Sequence, residues 1–303
     1  MTIPIFYDAR MSVDTTSYSQ SASKPKRFVE LMAHYDFRGY GPDSLGPVSP
    51  ITKDDLYLVH KKDHVDSIFS LRAPNGFENC DPLLPDSTLW TIGSLLSASR
   101  YAMQHPAAPV CSPTSGFHHS GYSIGSGGFC TFNGLMVVAA RLINETPGFK
   151  VAVLDLDAHE GNGSVDILKH FPKLAKQVLH LSSGAHFCGD NPKQEALEFQ
   201  AWLHEAIKDI NHFKPDLVLY QAGADAWIKD ALGSGYLAQE ELRQRDQDVF
   251  DGVLAPIVWN LAGGYTKTPA STIFNDPVLA IHRATLSAAD LSVATRLQKG
   301  LAP

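Results

Sequence analysis

Four short runs of the chain are rich in strand-forming residues, and most are almost continuously apolar: 151–157 (VAVLDLD), 178–182 (VLHLS), 217–221 (LVLYQ) and 257–261 (IVWNL). A strand with one wet face alternates apolar and polar residues, whereas a strand covered on both faces does not. These runs therefore predict buried strands of a largely parallel sheet. Helical stretches separate them. One runs from Ser87, as its cap, to about His105, and 132–143 is apolar on most sides and predicts a buried helix. Stretches 196–213 and 239–254 carry mixed charge and fit outer helices, and Pro277 opens a C-terminal helix over 278–297. Strands alternating with helices predict an α/β fold. In such a fold the ligand site lies beyond the carboxyl ends of the strands.

Composition narrows the picture without changing it. The 303 residues are 44% hydrophobic and 19% charged and contain no linker or repeat, so one domain over 1–303 is expected. The formal charge of −7, with scattered Lys and Arg, speaks against nucleic acid or an acidic membrane as partner. Residues 1–10 lack a basic region followed by an apolar run, so no signal peptide is expected, and no stretch has the length of a membrane span. Cys80, Cys111, Cys130 and Cys188 are far apart and form no CxxC, which fits reduced thiols and a cytoplasmic location.

The chemistry gathers at the predicted strand ends. The first strand runs out into Asp155-Leu-Asp157-Ala-His159-Glu-Gly-Asn162-Gly163. Residues two apart share a face of a strand, so Asp155, Asp157 and His159 start on one side. Carboxylates at the end of an apolar strand are costly to bury and call for a compensating cation. An imidazole with carboxylate oxygens suits zinc. Helix capping by Asp157 or Asn162 explains this stretch equally well. A second strand ends in Ala222-Gly-Ala-Asp225, which completes a three-ligand set with one position open for water, although Asp225 also reads as a turn residue. Three further elements follow the same logic: the tandem His118-His119, the loop Gly125-Ser-Gly-Gly-Phe-Cys-Thr-Phe-Asn133, and Leu261-Ala-Gly-Gly-Tyr265. The glycine-rich loop lacks the Lys-Ser/Thr pair of a phosphate loop.

Together, in this order, these motifs resemble those of the histone deacetylase family, which includes acetylpolyamine amidohydrolases and acetoin-utilisation proteins; the chain looks like a bacterial class II-like member. The resemblance covers about residues 20 to 270. It implies an arginase-like α/β domain with a central, mainly parallel eight-stranded sheet and helices on both faces. It also implies zinc-dependent hydrolysis of an N-acyl amide, with an acylated lysine peptide or a small acylated amine as substrate. By motif, Asp157, His159 and Asp225 would bind one zinc. His119 would be the general base and His118 its electrostatic partner, held by Asn162 and Asp155 respectively. Tyr265 would stabilise the oxyanion. Phe129 and Phe187 would wall an acyl-lysine channel, and the Gly128 carbonyl would accept the substrate amide. A structural potassium would involve Asp155, Ser182 and the backbones of Asp157 and His159.

Several positions depart from the family pattern. Asn162 stands where many relatives have Asp, and Phe117 where many have Gly. Glu160 breaks the DxHxD pattern of a second metal, which favours one catalytic ion over a dinuclear manganese ureohydrolase. Leu232 occupies a pocket position that is acidic in acetylpolyamine-selective relatives, which disfavours polyamines. Asp230 is expected to order its loop and Trp227 to shape the rim. His60 and His64 are expected at the surface, and Asp81 or Asp86 is a candidate rim carboxylate. A non-catalytic binding module is disfavoured by retention of the ligands, both histidines and Tyr265. Acyl length and oligomeric state are not specified by the sequence.

Overall fold

The four apolar runs become adjacent strands of one parallel sheet. The structure is a computed structural model and describes residues 3–14, 19–35, 45–268 and 270–298. The strands are β1 (Ile5–Phe6), β2 (Leu45–Gly46), β3 (Val110–Cys111), β4 (Val151–Asp155), β5 (Val178–Ser182), β6 (Leu217–Gln221) and β7 (Ile257–Asn260). Among the described residues they form a seven-stranded sheet, β2-β1-β3-β7-β6-β4-β5, in which every pairing is parallel. The resemblance implies eight strands, so the count differs. The three edge-side strands β1, β2 and β3 are each two residues long, too short to leave a periodicity in the sequence.

The helices are α1 (Lys24–His34), α2 (Lys53–Leu56), α3 (Lys62–Phe69), α4 (Leu84–Gln104), α5 (Gly134–Glu145), α6 (Asn162–His170), α7 (Pro172–Ala175), α8 (Pro192–Phe213), α9 (Gln239–Gly252) and α10 (Pro277–Gln298). They cover both faces of the sheet. Val151 and Val153 of β4 and Leu217 and Leu219 of β6 pack in a core with α3, α4 and α5. Their strand neighbours Ala152, Leu154, Val218 and Tyr220 pack in the other core with α1, α8, α9 and α10. Period-two geometry sends alternate residues to opposite cores, so a doubly covered strand needs apolar residues throughout. Each such Val or Leu stabilises the fold by about 1.5–3 kcal/mol.

Helix starts shift for local reasons. The helix expected at Ser87 begins at Leu84, with Pro85 in its first turn, where a missing N–H is harmless. Ser87 is inside it and donates to the Leu84 carbonyl (3.1 Å). The buried helix begins at Gly134 because Asn133 caps it, its Oδ1 accepting from Met136 N (3.1 Å). Asn162 is the first residue of α6, so neither it nor Asp157 is a helix cap. No helix among the described residues is long and apolar enough to cross a membrane.

Candidate active site

Parallel strands present their carboxyl ends to one edge, and register aligns them there: Asp155 pairs with Ser182 and Gln221, and Gln221 with Asn260. The loops that follow bring Asp157, His159 and Asp225 together, with one ligand atom of each within 4.8 Å of the others. His159 Nδ1 faces Asp157 Oδ1 at 3.1 Å and Asp225 Oδ2 at 3.0 Å. Backbone N–H groups hold the outer carboxylate oxygens: Gly263 N donates to Asp157 Oδ2 (2.8 Å) and Ala158 N to Asp225 Oδ1 (3.1 Å). Burial, and then the charge of Asp157, pushes Asp225 up to about 7. Burial alone would lower the His159 pKa, but hydrogen bonds and charge from the two aspartates outweigh it and raise it to about 11. The group thus holds protons in place of a cation, which a metal ion would displace, and its donor set of two carboxylates and one imidazole fits zinc. Among the described residues it is the one such group of metal-ligating side chains. Glu160 is exposed beside it.

The histidine pair lies against this group. His118 is buried, with Nδ1 2.7 Å from Asp155 Oδ2 and Nε2 3.6 Å from Asp157 Oδ1. Desolvation opposes its charge, yet Asp155 and Asp157 prevail and raise it to about 9. His119 faces Asn162 Oδ1 at 2.8 Å, and desolvation together with the His118 charge lowers it to about 4. Adjacent imidazoles thus carry opposite shifts, one held as a cation and one held neutral. Gly128 has φ +54 and packs on the His119 ring, so that a Cβ there would lie 2.4 Å from His119 Cδ2. Phe117, just before the pair, takes φ 104 with its ring buried.

Tyr265 stands at the end of the β7 loop, its ring 5.4 Å from that of Phe129. Burial, then the charges of Asp157 and Asp225, raises its pKa well above the ordinary tyrosine value, so the phenol stays protonated. Its loop is tied on several sides. Lys24 Nζ, buried, donates to the Ala262 carbonyl (2.7 Å) and Ala224 N to the Gly263 carbonyl (3.0 Å). Asp230 Oδ2 accepts from Tyr265 N (2.7 Å). A cavity of about 300 Å³ borders Tyr265 and Leu232 and is also lined by Lys24, Arg27 and Thr266.

Other expected residues fall in varied places. Phe187 is 5% exposed and packs against Phe199, Trp202 and Tyr236 in the core, while the rings beside Phe129 are Phe77 and Tyr265. Leu232 is 42% exposed and Trp227 half-buried. Ser182 Oγ accepts from Gly161 N (3.2 Å). Asp81 caps a turn by accepting from Leu83 N (2.9 Å), and Asp86 is exposed in the first turn of α4. His60 corrects the surface expectation: it is buried, with Nδ1 3.2 Å from the Gly121 carbonyl and Nε2 accepting from Asn133 N (2.9 Å). His64 is half-buried against Ser126.

Residues not singled out in the sequence support this arrangement. Asn133 Nδ2 holds the histidine loop through the Ser120 carbonyl (3.0 Å) and Ser164 Oγ (3.0 Å). Gln221 Nε2 donates to Asp155 Oδ1 (3.1 Å), and His180 Nε2 lies 3.9 Å from Asp155 Oδ2. Ser183 Oγ donates to the carbonyls of Asp155 (3.4 Å) and Asp157 (3.2 Å). Asn133 ends the glycine-rich stretch 125–133, which marks it in the sequence; Lys24, far away in sequence, carries no local signal.

Residues 21–281 match the model of the histone deacetylase domain. The chain is 24% identical over 310 residues to histone deacetylase 2 of Arabidopsis thaliana, covering 89% of this chain and 79% of that protein. It is 29% identical over 247 residues to an uncharacterised protein of Methanocaldococcus jannaschii, covering 71% of this chain and 70% of that one. A crystal structure of the HDA15 HD domain superposes with a TM-score of 0.69 at 21% identity, covering 97% of this chain and 95% of that one. That last likeness concerns the fold.

Proposed function

Because this chain belongs to the histone deacetylase family, we propose that it hydrolyses the N-acetyl amide of an acetylated lysine side chain, with one zinc ion held by Asp157, His159 and Asp225. The observation that carries this reading is the meeting, at one sheet edge, of a three-ligand group and two histidines with opposite pKa shifts. Bound zinc supplies Lewis acidity for the amide carbonyl and for water.

The remaining work falls to the chain's own groups. His119 is neutral, and with Nδ1 directed at Asn162 its Nε2 is free to take the proton of the attacking water. The same nitrogen then returns a proton to the leaving amine. His118, held as a cation against Asp155, keeps His119 from protonating early. Tyr265 keeps its phenolic proton and donates it as a hydrogen bond to the carbonyl oxygen, whose charge develops in the transition state. Phe129, with Phe77 and Tyr265 beside it, offers the apolar wall for the lysine methylenes. The Gly128 carbonyl accepts the substrate N–H. A potassium ion suits the oxygen donors of Asp155, Asp157 and Ser182, where two backbone carbonyls converge on Ser183 Oγ. We place the reaction in the cytoplasm and on acylated peptides.

The test is acetate release by zinc-loaded protein from an acetyl-lysine peptide and from acetylputrescine. Faster turnover of the peptide is expected, since the exposed Leu232 offers no charge to a polyamine. Preference for acetylputrescine would move the substrate assignment to polyamines, and hydrolysis of neither would overturn the reading.

A further inference from the structure

Asp230 is buried on the loop after β6 and uses both carboxylate oxygens. Oδ1 accepts from Leu232 N (2.9 Å) and Oδ2 from Tyr265 N (2.7 Å). The Tyr265 carbonyl in turn accepts from Ala231 N (3.3 Å). Both backbone polar groups of Tyr265 are thus fastened to residues 230–231. A buried carboxylate that only ordered its own turn would need the Leu232 bond alone; the second oxygen reaches across to a different strand's loop.

That loop needs the tie. Ala262 (φ 51) and Gly264 (φ 133) both have left-handed backbones within three residues of Tyr265, so the local sequence does not by itself hold the tyrosine in one place. The hydroxyl it carries must meet an oxygen whose position is set by other strands. Misplacement of such a group by about 1 Å costs on the order of a hundredfold in rate. The other end of the clamp, Leu232, lines the same cavity as Tyr265.

We propose that Asp230 is a positioning residue, a two-oxygen clamp that fixes the Tyr265 backbone relative to the rim residue Leu232. The role in catalysis rests on the amide-hydrolase reading above; the clamp itself can be measured without substrate. Asp230→Asn keeps the shape but has one acceptor oxygen instead of two, so one of the two N–H bonds is lost. Two measurements on the zinc-loaded protein decide the matter. In hydrogen exchange, Asp230→Asn should speed exchange across 262–268 while the strands stay protected, and unchanged exchange there would overturn the clamp.

In kinetics, Asp230→Asn should lower kcat about ten- to a hundredfold with metal content unchanged. In a Tyr265→Phe background the same change should cost less than about threefold, because the hydroxyl to be placed is gone. Asp230→Glu, which retains two acceptors, should recover part of the loss. Equal losses in both backgrounds would overturn the positioning role in favour of a general effect on folding. If wild-type protein hydrolyses no acyl amide, the functional reading fails, while exchange at 262–268 still reports whether the clamp exists.

Discussion

The Nδ1 atom of His119 lies 2.8 Å from the amide oxygen of Asn162. An amide oxygen only accepts, so Nδ1 carries the hydrogen and Nε2 keeps its lone pair, the tautomer a base requires. A neutral partner also stabilises imidazolium less than a carboxylate does. Burial, and then the His118 charge, outweigh the upward pull of the Asn162 hydrogen bond and leave the His119 pKa at about 4. The base is lost only when pH falls through that lowered value, so activity should persist well below the ordinary histidine range. Asn162→Asp should raise the pKa and move the acid limb of kcat/KM to higher pH by about one unit. Profiles at constant metal content check this, and an unmoved limb would count against it.

Tyr265→Phe removes the proposed oxyanion donor and leaves the three candidate metal ligands untouched. The expected result is a fall in kcat of about 10²–10³-fold with zinc content unchanged. Because the tyrosine pKa is raised well above its ordinary value, the wild-type profile should show no alkaline limb from this group below about pH 10. Full activity in the phenylalanine variant would remove Tyr265 from the mechanism.

Elemental analysis should find one divalent ion per chain, lost on chelation and in Asp225→Ala. Two ions per chain would instead favour dinuclear chemistry. A proton on His159, whose pKa is raised to about 11, must leave before the ring can ligate. Zinc affinity should therefore rise with pH. Competition titrations between pH 6 and 8 would show this, and a flat response would rule out His159 as a ligand.

Leu232 is exposed at the cavity beside Tyr265. Leu232→Glu places a negative charge where a polyamine's free ammonium groups would approach. An exposed pair is worth up to about 1 kcal/mol, so the acetylputrescine-to-peptide ratio of kcat/KM should rise about fivefold at low salt. No change in the ratio would take Leu232 out of substrate selection.

At Gly128 a methyl group meets two obstacles, the φ of +54 and the His119 ring 2.4 Å away. Gly128→Ala should cost about 1–3 kcal/mol of stability and lower kcat further by displacing His119. Thermal melting and kinetics on the purified variant check both effects; a variant with wild-type values would show that the loop relaxes freely.

Much of this protein is determined by sequence alone. The runs at 151–157, 217–221 and 257–261 had to become doubly buried parallel strands, because both faces of each are apolar, whereas 178–182, with His180 and Ser182 on one face, forms the half-buried edge strand β5. Polar residues clustered just past such runs had to meet at one edge, since parallel strands end on the same side. Asp157, His159, Asp225 and Tyr265 were legible for that reason, whereas His118 and His119 follow the two-residue strand β3 and were legible only through the motif resemblance.

Other features exist only between segments far apart in the chain. His60 is buried because its ring bridges Gly121 and Asn133, a contact no local pattern announces. Phe187 turns into the core with Phe199 and Trp202 of α8. Lys24 reaches Ala262 and Asp230 reaches Tyr265 across loops that only the folded sheet brings together. The candidate metal ligands follow from where strands end, a local property. The placement of Tyr265 follows from which backbone groups of distant loops find a buried partner, and tertiary structure alone decides that.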